Sequence, residues 1–424
     1  MSATIVSPVK SYFSKRLSMT EHDFESADSQ YFYLAGIMTA PVFGLLAGVA
    51  NRGRLLMMTA LTAGVSVALC AHMPSNMFFF LFRYLAGAAY GGTHPVVMSM
   101  FGDWFDARER QKVAGMITAS IGGGNFLGLI VMDVFLSQMP SLSYISALFM
   151  MLGLLMGAVG IFFYHTVDEP VRGCNEEGDN KEESAPLTKQ SLMSLFSATN
   201  LFTLILSFPG FIPYSLVQNH FKEIDLGAGL MFMTGFGMLV GILVSSLAAD
   251  RLALWNKKFP ALYASACALL RIIPGVFVLG PGKKSAILMF TFGFMSAQHI
   301  PVLATMLLNA NLPRLRGLAA ALGVFFEDLS RASGPLLFNA FFFWSGGATN
   351  EDRRTHLLYW VVGVWLICGV GLLPTIWTYP HDEKAMRALI EQEREERVRR
   401  SEKRESNNVI AAKAVLAAEA FQKR

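Results

Sequence analysis

Eleven apolar stretches, separated by short polar loops, run through the chain: Tyr31–Ala50, Leu55–Cys70, Phe78–Phe101, Val113–Phe135, Ser143–Phe163, Leu192–Val217, Leu230–Ala249, Ala261–Leu279, Ala286–Leu308, Leu318–Trp344 and Leu358–Trp377. Each is close to the ~20 residues that a helix needs to cross ~30 Å of hydrocarbon. Helices satisfy their own backbone groups in lipid. The pattern therefore predicts an all-α, integral, multi-pass membrane protein with about 11 transmembrane helices.

The polar segments divide the chain. Residues 1–30 are mixed and lack an apolar run long enough to span. An acidic, Gly/Pro/Ser-containing loop, DEPVRGCNEEGDNKEESAPLTK, separates five spans from six. The organisation expected is a segment 1–30, an N-terminal half 31–165, a linker 166–190, a C-terminal half 191–379 and a charged tail 380–424. The tail has i,i+4 pairs such as Glu393–Arg397 and reads as a solvated helix. Thirteen Lys and Arg residues in one set of alternate loops, Arg52, Arg54, Arg314 and Arg316 among them, face five in the other. The first set is expected in the cytoplasm, with the linker and the tail.

Composition agrees. The chain is 53% hydrophobic and 16% charged, against about 25% charged for a soluble domain. Its net charge of +4 supplies no basic face for nucleic acid. Cys70, Cys174, Cys267 and Cys368 lack the spacing of a disulfide framework or a zinc site, and no metal or cofactor is expected. No G-x-x-x-x-G-K-[ST], H-E-x-x-H or G-x-S-x-G occurs, so neither a phosphate-driven pump nor an enzyme is expected.

Charges inside the spans are costly, at least ~2.5 kcal/mol each at mid-bilayer. They are Arg83, Asp133, Arg271, Glu327, Asp328 and Arg331. Glu327 and Arg331 are one turn apart; they either neutralise each other as a structural pair or leave the acids Glu327 and Asp328 to couple transport to a proton or other ion. Asp133 and Arg271, nearer outer helix ends, read as snorkelling. Gly122, Gly123, Gly124 and Gly128 leave a face without side chains, for static packing or for sliding. His94 precedes Pro95, and His299 lies two residues before Pro301; each histidine is a structural group or a substrate or proton ligand.

FGDWFDARERQKVAGMITASIGGGNFLG (Phe101–Gly128) resembles the junction between helices four and five of the major facilitator superfamily. PVFGLLAGVANRGRLL (Pro41–Leu56) looks like that superfamily's loop between helices two and three, and FRYLAG (Phe82–Gly87) like its fourth-helix arginine motif. FPGFIPYSLVQNHF (Phe208–Phe221) and FFEDLSRASGPL (Phe325–Leu336) are similar to spinster-like members, particularly protist ones. The resemblance implies a two-half helical bundle and a secondary transporter that moves a small organic solute or amphipathic lipid by alternating access. The other reading is a transporter-derived scaffold or sensor without transport.

By the same resemblance, Arg83, His94, Tyr214, Gln218 and His299 line a central cavity. They include no acid, so an anionic or zwitterionic solute is expected. Asp103, Arg108, Glu109 and Arg110 in one half, and Asp250 and Arg251 in the other, would form the cytoplasmic gate. The chain departs from the family in two places. The usual Asp near the position of Gly48 is missing, and residues 84–93 contain no acid after the helix-four arginine. SQYFYLAGIMTAPVFG (Ser29–Gly44) looks like the family's second helix. The expectation is that the first helix is missing, with residues 3–17 a remnant of its outer end or the chain a truncated gene model.

Overall fold

A computed structural model describes residues 13, 16–20, 24, 30–73, 75–105, 109–138, 142–170, 193–205, 210–213, 228–346, 350–392, 395 and 399. Among these every regular element is helical. The first half comprises α1 (Phe32–Val49), α2 (Arg52–Cys70), α3 (Asn76–Trp104), α4 (Arg110–Gln138) and α5 (Leu142–Thr166). The second comprises helical residues 198–205 and 210–213 (α6), α7 (Ala228–Trp255), α8 (Phe259–Leu270), α9 (Ile272–Leu279), α10 (Ala286–Ala297), α11 (His299–Asn309), α12 (Arg316–Trp344), α13 (Asn350–Gly371) and residues 375–392 (α14).

Among the described residues seven segments are long and apolar enough to cross a membrane: Phe32–Val49, Arg52–Cys70, Ser143–Thr166, Gly229–Trp255, Phe259–Leu279, Ala286–Asn309 and Asp352–Gly371. The places of the expected spans Phe78–Phe101, Val113–Phe135 and Leu318–Trp344 are held by α3, α4 and α12. These are helices of 29 residues, about 44 Å long at ~1.5 Å per residue. Glycines and charged side chains lower their mean hydropathy, not their length.

Within the first half α1 packs on α3 and α2 on α5; within the second α7 packs on α10. Two long seams join the halves, α1 against α12 and α4 against α7. Glycine makes the close approaches. A Cβ on Gly91 would meet the backbone of Gly36, and one on Gly237 would meet that of Phe290. At the outer end of the first half Phe13, Leu17, Met19 and Phe24 are buried against Val67, Cys70, Phe79, Ile145 and Phe149. Phe13 lies 4.8 Å from the Phe79 ring. The end with the Lys/Arg-rich loops is taken as cytoplasmic.

There α14 folds back under the second half. Asp382 accepts the backbone N–H of Thr199 at 2.8 Å, at the start of α6. Glu383 pairs with Lys257 before α8, at 3.3 Å. Met386 and Ile390 pack with Leu195, Leu312, Leu315 and Leu318.

Candidate functional site

The cytoplasmic end of the α1–α12 seam is closed by charge. Arg52 opens α2, where Asn51 caps the helix by accepting the Arg54 N–H at 2.8 Å. Its side chain is 1% exposed and donates to Asp103 at 2.5 Å, Glu169 at 3.2 Å and the Pro170 carbonyl at 2.8 Å. From the other half, Arg316 opens α12. It donates to the Gly102 carbonyl at 3.1 Å and stands 3.9 Å from Asp103. One buried carboxylate thus lies between a guanidinium from each half. A cation in a first helical turn faces the positive end of the helix dipole, and Asp103 compensates both.

Arg110 donates to the Gly102 carbonyl at 3.0 Å and to Asn309 at 3.5 Å, and Asn309 donates to the Tyr379 phenol at 3.2 Å. Burial, with Glu383 nearby, pushes the Tyr379 phenol up, which keeps it a neutral acceptor. On the second seam Lys112 pairs with Asp250 at 3.3 Å.

Of the expected gating set, Asp103, Arg110 and Asp250 make contacts between the halves. Glu109 and Arg251 are exposed, and Arg108 lies outside the described residues. Arg52, Arg316 and Glu169 were not expected. The signal available was the pair of arginines at helix starts, which loop counting uses only for orientation. The missing acid near Gly48 also has a physical counterpart. A Cβ on Gly48 would lie 3.3 Å from the Arg314 carbonyl, so a carboxylate there would approach another acceptor. The acid of the lock comes from α3 instead.

Deeper in the membrane the same seam holds a polar cluster. Arg331 pairs with Glu327 one turn away and donates to the Tyr90 hydroxyl at 3.3 Å. Its guanidinium lies over the rings of Tyr33 at 5.4 Å and Phe211 at 5.5 Å. His94, half-buried, stands within electrostatic reach of Glu327 and Arg331, and its Nδ1 has no hydrogen-bond partner among the described residues. Asp328 is fully buried beside Gly36 of α1, and neither of its oxygens has such a partner. Arg83 is buried with its guanidinium 4.8 Å from the Phe32 ring, and Phe32 in turn stands 5.5 Å from Tyr90.

The remaining cavity candidates do not join this cluster. His299 is buried inside the second half, where Arg271 donates to its Nε2 at 3.3 Å. Tyr214 and Gln218 lie outside the described residues, as do Cys174 and the side chain of Asp133. Arg271 corrects an expectation: it does not snorkel but is 3% exposed, its guanidinium 5.0 Å from the Trp365 ring. Cys70, Cys267 and Cys368 are buried. Among the described residues no group of three or more His, Cys, Asp or Glu side chains is placed to hold a metal ion.

Comparison with known proteins agrees with this architecture. The multidrug resistance protein MdtG of Dickeya zeae is 24% identical over 349 residues, 79% of this chain and 82% of that protein. The human organic anion transporter MFSD10 superposes with a TM-score of 0.63 at 14% identity, covering 88% of this chain and 95% of the other. The proton:xylose symporter XylE, solved with 6-bromo-6-deoxy-D-glucose, gives 0.67 at 15% identity, covering 89% and 91%. The model of the Major Facilitator Superfamily matches residues 1–335. With two helical halves, two long seams between them and this match over most of its length, the chain belongs to the Major Facilitator Superfamily, as a multi-pass integral membrane protein.

Proposed function

We propose that the chain is a secondary transporter of the spinster-like branch that moves a small organic solute or amphipathic lipid by alternating access. The observation that carries this reading is the intramembrane cluster of Tyr33, Tyr90, His94, Glu327, Asp328 and Arg331, which draws on both halves. Polar groups shared between halves change partners when one half rocks against the other. Arg83, His94, Tyr214 and Gln218 are the substrate-facing set; His299, buried inside the second half against Arg271, is not part of it. Their lack of an acid favours an anionic or zwitterionic solute, and the organic anion transporter among the structural neighbours points the same way. For coupling, Glu327 is committed to Arg331, so Asp328 is the acid that exchanges a proton. The proton-coupled neighbour supports this.

The test is uptake into proteoliposomes of an organic anion, a zwitterion and a lysolipid, each against pH. Arg83→Ala is expected to lower uptake at least about tenfold, a loss of about 1.4 kcal/mol. Asp328→Asn is expected to abolish its pH dependence. Full uptake by Arg83→Ala refutes the substrate assignment, and an unchanged pH profile in Asp328→Asn refutes the coupling. No uptake of any solute by the unaltered protein refutes transport and leaves the scaffold reading.

A further inference from the structure

Two spans of the second half are broken by the same device. Pro274 has no N–H for the Leu270 carbonyl, and α8 ends at Leu270. Pro301 has none for the Ala297 carbonyl, and α10 ends at Ala297. Both breaks fall at mid-span. Arg271 stands 12 residues after Phe259 and 8 before Leu279; His299 stands 13 after Ala286 and 10 before Asn309. Arg271 and Gln298 keep helical dihedrals, so each proline removes a backbone hydrogen bond and leaves a carbonyl open without unwinding its span.

The groups at the breaks are short of partners. Arg271 donates Nε–H to the Ala268 carbonyl at 3.1 Å and Nη1–H to His299 Nε2 at 3.3 Å. Among the described residues its Nη2 has only the Cys368 thiol beside it, a weak acceptor that leaves the donor poorly satisfied. A guanidinium cannot give up its proton, so His299 Nε2 is the acceptor and the neutral ring carries its proton on Nδ1. That second donor lacks a partner among the described residues. Arg271 and His299 are 3% and 2% exposed. No carboxylate among the described residues pairs with Arg271; its neighbours are His299, Cys368 and the face of Trp365. An unpaired cation at mid-bilayer is costly, and a ring face offsets only part of that cost.

We propose that Arg271 and His299 form a binding site for a small, singly charged anion, a halide or the carboxylate of a solute, inside the second half where α8, α11 and α13 meet. The site lies apart from the cluster between the halves, and its test needs no transport. The protein is melted in detergent at constant ionic strength while bromide or formate replaces gluconate, a carboxylate too bulky for so buried a site. A saturable rise of about 2 °C is expected. Arg271→Met is expected to lose that response and, with no charge left to compensate, to be at least as stable as the unaltered protein in gluconate. An equal response in Arg271→Met overturns the proposal, as does a flat one in the unaltered protein. A response to bromide alone identifies an inorganic ion, and one that includes formate identifies a carboxylate. Should Arg271→Met not fold, iodide quenching of the unaltered protein decides. A saturable component that Trp365→Phe removes supports the site; quenching that rises only linearly overturns it.

Discussion

The two seams between the halves are built differently. Along α1–α12 the backbones are nearly in contact. A Cβ on Gly44 would stand 2.9 Å from the Gly317 carbonyl and 3.1 Å from the Leu318 Cα. Gly317 is as tightly placed against Ala47 and Gly44, each at 3.1 Å. Charge accompanies this closeness: Asp328 and the Glu327–Arg331 pair lie within the seam, and the buried Arg52–Asp103–Arg316 lock ends it. Along α4–α7 glycine meets side chains rather than backbone: a Cβ on Gly115 would collide with the Ser246 side chain and one on Gly235 with the Phe126 ring, whereas on Gly122 or Gly123 it would make ordinary contact, at 3.6 and 3.8 Å, with the ends of Ile242 and Leu239. Phe126 meets Phe232 with ring centroids 5.0 Å apart, and the closing pair, Lys112–Asp250, is 47% and 20% exposed. Backbone against backbone fixes register more strictly than side chain against glycine, because a side chain can change rotamer. Opening the α1–α12 seam requires a discrete exchange of buried charged partners, whereas opening α4–α7 releases the solvent-exposed Lys112–Asp250 pair.

Substitutions sharpen that contrast. Asp103→Ala leaves two guanidinium groups buried and should cost about 3–5 kcal/mol in thermal unfolding; a melt like that of the unaltered protein would show that the lock carries no structural charge. Gly44→Ala drives a methyl group into the α12 backbone and should cost about 1–3 kcal/mol, read in the same melt. Asp250→Asn breaks a solvated pair, so its stability effect should stay below about 1 kcal/mol. Its signature is access instead: cysteine probes near the cytoplasmic end of α7 should label faster, because removing the pair biases the closed state less. Unchanged labelling would remove Asp250 from the gate. The smallest effect belongs to Gly122→Ala, within about 0.5 kcal/mol; a loss as large as that of Gly44→Ala would erase the distinction between the seams.

Much of this was legible in the chain. Run length located most helices, since the need to satisfy backbone groups in lipid leaves few alternatives. Intramembrane charges flagged Glu327, Asp328 and Arg331 because burial there is costly. Hydropathy does not encode which neighbour a charge meets. Arg52 and Arg316 looked like ordinary loop cations, and their common partner Asp103 lies 51 residues from one and 213 from the other. Arg271 was misread for a related reason. Its place in the sequence gives depth, but whether a helix faces lipid or the bundle depends on how α8, α11 and α13 pack. The breaks themselves were readable, because RIIP and QHIP place a proline three residues after each; their equal depth appears only when the two spans stand side by side.

The helix that follows α13 ties separate parts of the second half together. Through Asp382, Glu383 and Met386 it holds the start of α6, the loop before α8 and the turn before α12. Three anchors on one rigid rod leave little freedom for those ends to shift independently, so the second half should pivot as a block. A dye fixed near residue 392 would then ride that block like a pointer. Paired with a dye on the loop before α2, it would report the angle between the halves during turnover, with no label placed inside the membrane.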